Sequence, residues 1–193
     1  VIPYYRKWLA AYPDPASLAE APLRDILKSW EGLGYYQRAR NMRLTAARLV
    51  RDFGGRFPRD PEILAGLPGF GPYTTAAVAS ICFNRPLPVV EANVRRVMMR
   101  LHGIRGRGEP AVDSRILRTL ERVISRRSPG NFNQAMMEWG ALVCRPKNPL
   151  CLRCPGRTLC RAYARGEQEV IPAPKTLRAA HVEAVVAVLR DGD

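Results

Sequence analysis

The chain has 193 residues, 47% of them hydrophobic, with 31 Lys and Arg against 17 Asp and Glu for a formal charge of +14. That apolar content suffices for one or two packed domains and excludes a disordered basic tail, so the charge belongs to a folded surface whose natural partner is a polyanion. No run of about 18 apolar residues occurs, and Val1-Ile2-Pro3-Tyr4-Tyr5 has no signal-peptide pattern, which points to the cytosol or a bacterial nucleoid and away from a membrane.

Residues 1 to about 165 read as all-α, with apolar residues at three- and four-residue spacing punctuated by Pro and Gly. Asp14-Pro15, Asp60-Pro61 and Ser128-Pro129 each place a capping residue before a Pro at the first helical position, so helices should start there. Further helices are predicted near 2–11, 22–30, 36–53, 73–83, 92–102, 113–126 and 130–142. The texture changes after Cys160. Residues 167–176 hold Pro172 and Pro174 and few core residues, and His181–Leu189 then reads as a β-strand. A lone strand cannot satisfy its own hydrogen bonds, so it is expected to open a second domain lying beyond Asp193. The abrupt helical start at Val1 likewise suggests a chain cut at its beginning.

Five cysteines are present, and four of them, Cys144, Cys151, Cys154 and Cys160, follow the spacing C-x6-C-x2-C-x5-C in a Pro-rich loop after a helix. Four thiolates in so short a stretch can wrap one inorganic centre, and the long gaps suit a [4Fe–4S] cubane better than the paired knuckles of structural zinc. Arg145, Lys147, Arg153, Arg157 and Arg161 surround the loop, either to meet phosphate or as solvated charge. Cys82 lies in an apolar helical stretch and is expected to be a core thiol.

Leu67-Pro68-Gly69-Phe70-Gly71-Pro72-Tyr73-Thr74 sets two glycines in a tight turn before a helix N-terminus, where backbone N–H groups can approach an anion favoured by the helix dipole. With the basic charge, this predicts a helix-hairpin-helix grip on DNA phosphates through Gly69 and Gly71. In Pro88-Val89-Val90-Glu91-Ala92-Asn93-Val94-Arg95-Arg96 an acid opens a basic helix. Glu91 is either a helix N-terminal residue made favourable by the dipole or a carboxylate facing DNA to stabilise developing positive charge, with Arg95 on the same helix toward DNA. Trp30-Glu31-Gly32-Leu33-Gly34-Tyr35-Tyr36-Gln37-Arg38-Ala39-Arg40-Asn41 is either core packing with a basic face, or a DNA-facing surface in which Tyr35 wedges into the base stack beside Gln37 and Arg38.

Three stretches, Gly32 to Asn41, Leu67 to Thr74, and Asn133-Gln134-Ala135-Met136-Met137-Glu138-Trp139-Gly140 leading into the cysteines, together resemble the helix-hairpin-helix DNA glycosylases with an iron–sulfur cluster, most closely the MutY-type adenine glycosylases. The resemblance implies an all-α, two-lobed core, with a six-helix lobe over 1–87, a cluster lobe over 88–166, a linker over 167–180 and a truncated C-terminal domain from 181. It also implies a monomer acting on double-stranded DNA, removing adenine mispaired with 8-oxoguanine or guanine by hydrolysis of the N-glycosidic bond. Glu91 falls where the family has an Asp that stabilises the oxocarbenium-like state, Asn93 and Tyr73 match pocket positions, Tyr35 matches the wedge, and the four cysteines match the cluster ligands. Tyr73 stands where the related endonuclease III family has a catalytic Lys, so no Schiff-base lyase chemistry is expected. The family's general acid, a glutamate, precedes the stretch resembled here and is expected upstream of Val1. Three other readings stay open: a silent lesion-binding paralogue, a glycosylase for thymine or uracil, and a zinc-stabilised basic module.

Overall fold

A computed structural model describes residues 2–106 and 110–174. The expected strand at 181–189 lies outside the described residues, which contain helices, turns and loops with no strand among them. Helices run as α1 Ile2–Ala11, α2 Pro15–Glu20, α3 Leu23–Ser29, α4 Gln37–Phe53, α5 Pro61–Ala65, α6 Pro72–Phe83, α7 Ala92–His102, α8 Pro110–Val123, α9 Pro129–Glu138 and α10 Arg161–Ala164. None of them is long and apolar enough to cross a membrane.

The predicted starts have local causes. Asp14 accepts the Ser17 N–H at 2.8 Å in a reciprocal capping box, and Asp60 accepts the Glu62 N–H at 2.8 Å. Ser128 departs from expectation: it precedes Pro129 but its side chain caps nothing, its backbone N–H being taken by Ser125 Oγ at 3.0 Å. The helix predicted to 142 stops being α at Glu138 and continues as a π turn, Trp139–Val143. A Cβ on Gly140 would lie 2.5 Å from Asn93 Cβ, so α7 and this turn cross too closely for any side chain there.

Three cores hold the described residues. Leu18, Ile26, Ala39 and Ala46 join α2, α3 and α4; Leu49, Leu64, Leu67 and Ala79 join α4, α5, the hairpin and α6; and Val94, Met99, Ile116, Leu120 and Ile171 join α7 and α8 to the chain after α10. Ile171 belongs to the stretch read from sequence as a linker, yet it is 1% exposed. Cys82 corrects the sequence reading in the other direction, because it is exposed. Helix α6 is apolar on every side and buries its small face, Thr75, Ala76, Ala79 and Ser80. A Cβ at Gly130 of α9 would lie 2.9 Å from the Ser80 carbonyl oxygen and from Ile81 Cα. Close backbone approach therefore selects the face, and Ile81 and Cys82 are left outside.

Candidate nucleic-acid interface and cysteine loop

Helix α4 braces two of the candidate elements. At its start Tyr35 has φ 49° and is 83% exposed. A left-handed non-glycine costs on the order of 1 kcal/mol, so the fold spends backbone strain on an aromatic ring held in solvent. The Trp30 indole N–H donates to Gly34 O at 2.9 Å and fixes the loop behind it. Exposed Arg38 stacks its guanidinium 5.9 Å from the Trp30 ring centroid, and Gln37 donates its amide to Asn41 Oδ1 at 2.9 Å. Further along α4, Thr45 donates to Pro68 O at 2.8 Å and Arg48 to Gly66 O at 2.5 Å, locking the hairpin. Gly69 sits at φ 80° with its Cα against Asn41, where a Cβ would lie 2.9 Å from Asn41 Cβ.

Gly71 is extended and exposed, Pro72 follows at the first helical position, and no side chain caps α6. The first-turn N–H groups beside the hairpin are left without a side-chain acceptor, as an anion-binding helix start requires. Tyr73, 48% exposed, lines a cavity of about 780 Å³ together with Arg38, Asn41, Met42, Gly69 and Phe70. Glu91 and Asn93 do not line that cavity.

Glu91 is placed by a residue that sequence reasoning passed over. Asn133, 1% exposed on α9, accepts the Val89 N–H at 3.1 Å and donates to Leu87 O at 2.8 Å and Ser80 Oγ at 2.9 Å. The segment before α7 is thereby pinned to α6 and α9. Two residues on, partly buried Glu91 is the N-cap of α7, its Oε1 accepting the Val94 N–H at 2.9 Å. Both sequence readings of Glu91 thus share one geometry: it caps the helix and presents a carboxylate at its positive end. Arg95 is clamped by Asp113 through two bonds of 2.5 and 2.6 Å, and its guanidinium is raised first by that hydrogen-bonded pair, with a smaller contribution from Glu91.

Arg96 and Arg100, one turn apart on the buried face of α7, tie this end of the molecule to the cysteines. Arg96 donates to Asn93 Oδ1, Gly140 O and Cys144 O, each at 2.8 Å. Arg100, 2% exposed, donates to Ile171 O at 2.7 Å, Arg145 O at 2.7 Å, Pro146 O at 3.1 Å and Cys144 Sγ at 3.4 Å. Neither arginine forms an ion pair with a carboxylate among the described residues. Their spacing on a helix otherwise buried at Val94, Val97, Met98 and Met99 was the available sequence signal.

All four predicted cysteines line one small pocket with Arg100 and Tyr163. Burial pushes the Cys144 thiol up while Arg100 opposes it, and burial followed by the neighbouring thiols raises Cys151. Among the described residues no group of three or more His, Cys, Asp or Glu is arranged to hold a metal ion. The Trp139 indole N–H donates to Cys154 Sγ at 3.3 Å. Around the pocket Lys147, Arg153, Arg157 and Arg161 are exposed, while Arg145 turns back to Asn148 O at 2.9 Å.

The model of the "HhH-GPD superfamily base excision DNA repair protein" family matches residues 1–126. This chain belongs to the HhH-GPD superfamily. Among curated relatives, this HhH-GPD chain is 42% identical over 175 residues to the adenine DNA glycosylase of Mus musculus, covering 90% of this chain and 34% of that protein. It is 38% identical over 163 residues to the adenine DNA glycosylase of Buchnera aphidicola subsp. Schizaphis graminum, covering 84% and 47%. The chain thus spans from a third to under half of these relatives' lengths. Among solved structures, a thermostable thymine-DNA glycosylase matches with TM-score 0.76 at 28% identity, covering 84% of this chain and 76% of that one. A trapped endonuclease III–DNA covalent intermediate matches with TM-score 0.74 at 28% identity, covering 85% and 76%.

Proposed function

We propose that the protein to which this chain belongs is a monofunctional adenine DNA glycosylase that excises adenine opposite 8-oxoguanine or guanine in double-stranded DNA. The observation that carries the reading is Glu91, a carboxylate fixed at the N-terminus of α7 with one oxygen anchored on the Val94 N–H. The relatives named as adenine glycosylases agree with it. Gly69, Gly71 and the uncapped start of α6 hold backbone phosphates. Tyr35 enters the stack beside the lesion, with Gln37 and Arg38 alongside, and Arg95, steadied by Asp113, lends its charge to the same helix. Asn93 and Tyr73 are assigned to the extruded base; the Asn93 oxygen accepts from Arg96, which leaves its NH2 as the group that would donate. The resemblance places the adenine-protonating glutamate of the family in a segment outside the stretch matched here. As the C1′–N bond loosens, the Glu91 carboxylate offsets the positive charge on the sugar, and water adds at C1′ to leave an abasic site. Tyr73 offers no amine, so no Schiff base forms.

The four thiols fit a [4Fe–4S] cluster. All four line one pocket, and the buried Arg100, which has no carboxylate partner among the described residues, donates to Cys144 Sγ at 3.4 Å. When bound, the cluster would supply a structural tie between α7 and residues 144–160 and anionic sulfur opposite Arg100. The chain's own residues then present Lys147, Arg153 and Arg157 to phosphate.

The test is single-turnover adenine release by the full-length protein from a duplex with adenine opposite 8-oxoguanine, beside Glu91→Gln. The amide oxygen can still cap Val94 but carries no charge, so a loss of about a hundredfold or more with DNA affinity retained is expected. An unchanged rate overturns the assignment of Glu91. Tight lesion binding with no release by the parent would establish a silent lesion-binding protein.

A further inference from the structure

Among the described residues the cysteine pocket receives two side-chain N–H donors from outside the loop, and they differ in kind. Arg100 reaches Cys144 Sγ at 3.4 Å as part of a network that also grips four carbonyls, so its sulfur contact is one of several duties. The Trp139 indole has a single polar atom, and that atom is on Cys154 Sγ at 3.3 Å. Its position is enforced from both sides. Trp139 opens the π turn whose backbone is drawn against α7 by the Gly140–Asn93 contact, and its ring lies over Gly156, where a Cβ would be 2.7 Å from Trp139 Cζ2 and Cη2. Gly156 has φ −94°, which any residue adopts, so it is small for the ring's sake and not for the backbone's. The short spacing between Cys154 and Gly156 therefore does two things: it presents a sulfur and leaves a slot for the indole that meets it.

We propose that Trp139 is a positioning residue that tunes the cluster by donating its indole N–H to the Cys154 thiolate, with Gly156 as the slot that aims it. The inference rests on the reading of Cys144, Cys151, Cys154 and Cys160 as cluster ligands. Hydrogen bonds to ligand sulfurs are among the groups that set an iron–sulfur potential, because a donor stabilises the extra negative charge of the more reduced state. Trp139 thus raises the midpoint potential of the bound cluster relative to a site with the same thiolates and no donor.

The experiment uses the full-length, cluster-loaded protein and its Trp139→Phe, Gly156→Ala and Trp8→Phe variants. Trp139→Phe removes the donor together with the outer edge of the indole over Gly156, a loss of ring area that Trp8→Phe reproduces elsewhere. Gly156→Ala keeps the indole but displaces it. Trp8→Phe makes the same chemical change in the core of α2, α3 and α4. Iron per chain and the absorption band near 400 nm come first: about four irons are expected for a cubane, and a wild-type protein without iron overturns the cluster reading and this inference with it. With loading equal, voltammetry of the one-electron couple at an electrode should show midpoint potentials shifted negative in Trp139→Phe and Gly156→Ala and unshifted in Trp8→Phe. The Fe–S(Cys) stretching bands in resonance Raman spectra should move in the same two variants. Wild-type potentials in either loaded variant, or an equal shift in Trp8→Phe, would overturn the role of Trp139. If Trp139→Phe does not load, Gly156→Ala decides by the same readout.

Discussion

Replacing Asn133 with Leu tests how the fold places Glu91. Leucine has the same number of side-chain heavy atoms and a larger volume, so no cavity opens and the loss is at least that of the polar groups left alone. Three partners lose their bonds at once: the Val89 N–H at 3.1 Å, the Leu87 carbonyl at 2.8 Å and the Ser80 hydroxyl at 2.9 Å. Each unsatisfied buried group costs about 1–3 kcal/mol, and the Ser80 hydroxyl, which also reaches Ala77 O, recovers its share. A net loss of about 4 kcal/mol is therefore expected. At about 2–4 °C per kcal/mol for a chain of this size, the melting midpoint falls by roughly 8–16 °C. Urea unfolding of the cluster-loaded protein followed by circular dichroism measures the free energy, and the same sample then reports adenine release and duplex affinity. Because Val89 lies two residues before Glu91, release should fall further than affinity. A stability change under about 1 kcal/mol would refute the reasoning, since it would mean that these groups find other partners at little cost.

Replacing Tyr35 with Gly relieves the left-handed strain at φ 49°, so stability should hold within about 1 kcal/mol while lesion-selective affinity falls more than affinity for undamaged duplex. Equal loss on both duplexes would show the ring to be packing. Gly69→Ala meets both φ 80° and the Asn41 side chain at 2.9 Å; about 1–3 kcal/mol of stability and much of the undamaged-duplex affinity should go, and wild-type values of both would contradict the phosphate hairpin. His102 is held below its usual value by burial, with Arg161 and Arg115 adding to the effect. The unfolded imidazole binds its proton first on acidification, so the stability it contributes is present above about pH 6.5 and is lost as pH falls through the lower folded value. Urea midpoints measured from pH 7.5 down to pH 5 should show a decline that His102→Gln flattens; parallel profiles would remove His102 as the cause.

The helices were legible where their causes are local. Asp14 and Asp60 cap within three residues of themselves, and the two glycines of the hairpin announce the turn before α6. Ser128 shows the limit: a capping residue type before the same Pro caps nothing, although Asp14 and Asp60 in the same setting do. Cys82 failed for a different reason, since a helix apolar all round has no pattern to say which side is buried, and the answer came from Gly130 on a helix almost fifty residues away.

Sequence alone determined the chemical inventory of the site: a carboxylate opening a basic helix, four cysteines in one loop, an aromatic after glycines. Each is a short stretch whose meaning lies in its own spacing. Tertiary structure alone decided how these are held. Asn133 meets Val89 across 44 residues, Arg96 meets Cys144 across 48, and Arg100 meets Ile171 across 71. In each case the side chain contacts backbone N–H or C=O groups. Every residue type carries these groups, so the partners leave no mark in the sequence and only the folded path of the chain selects them.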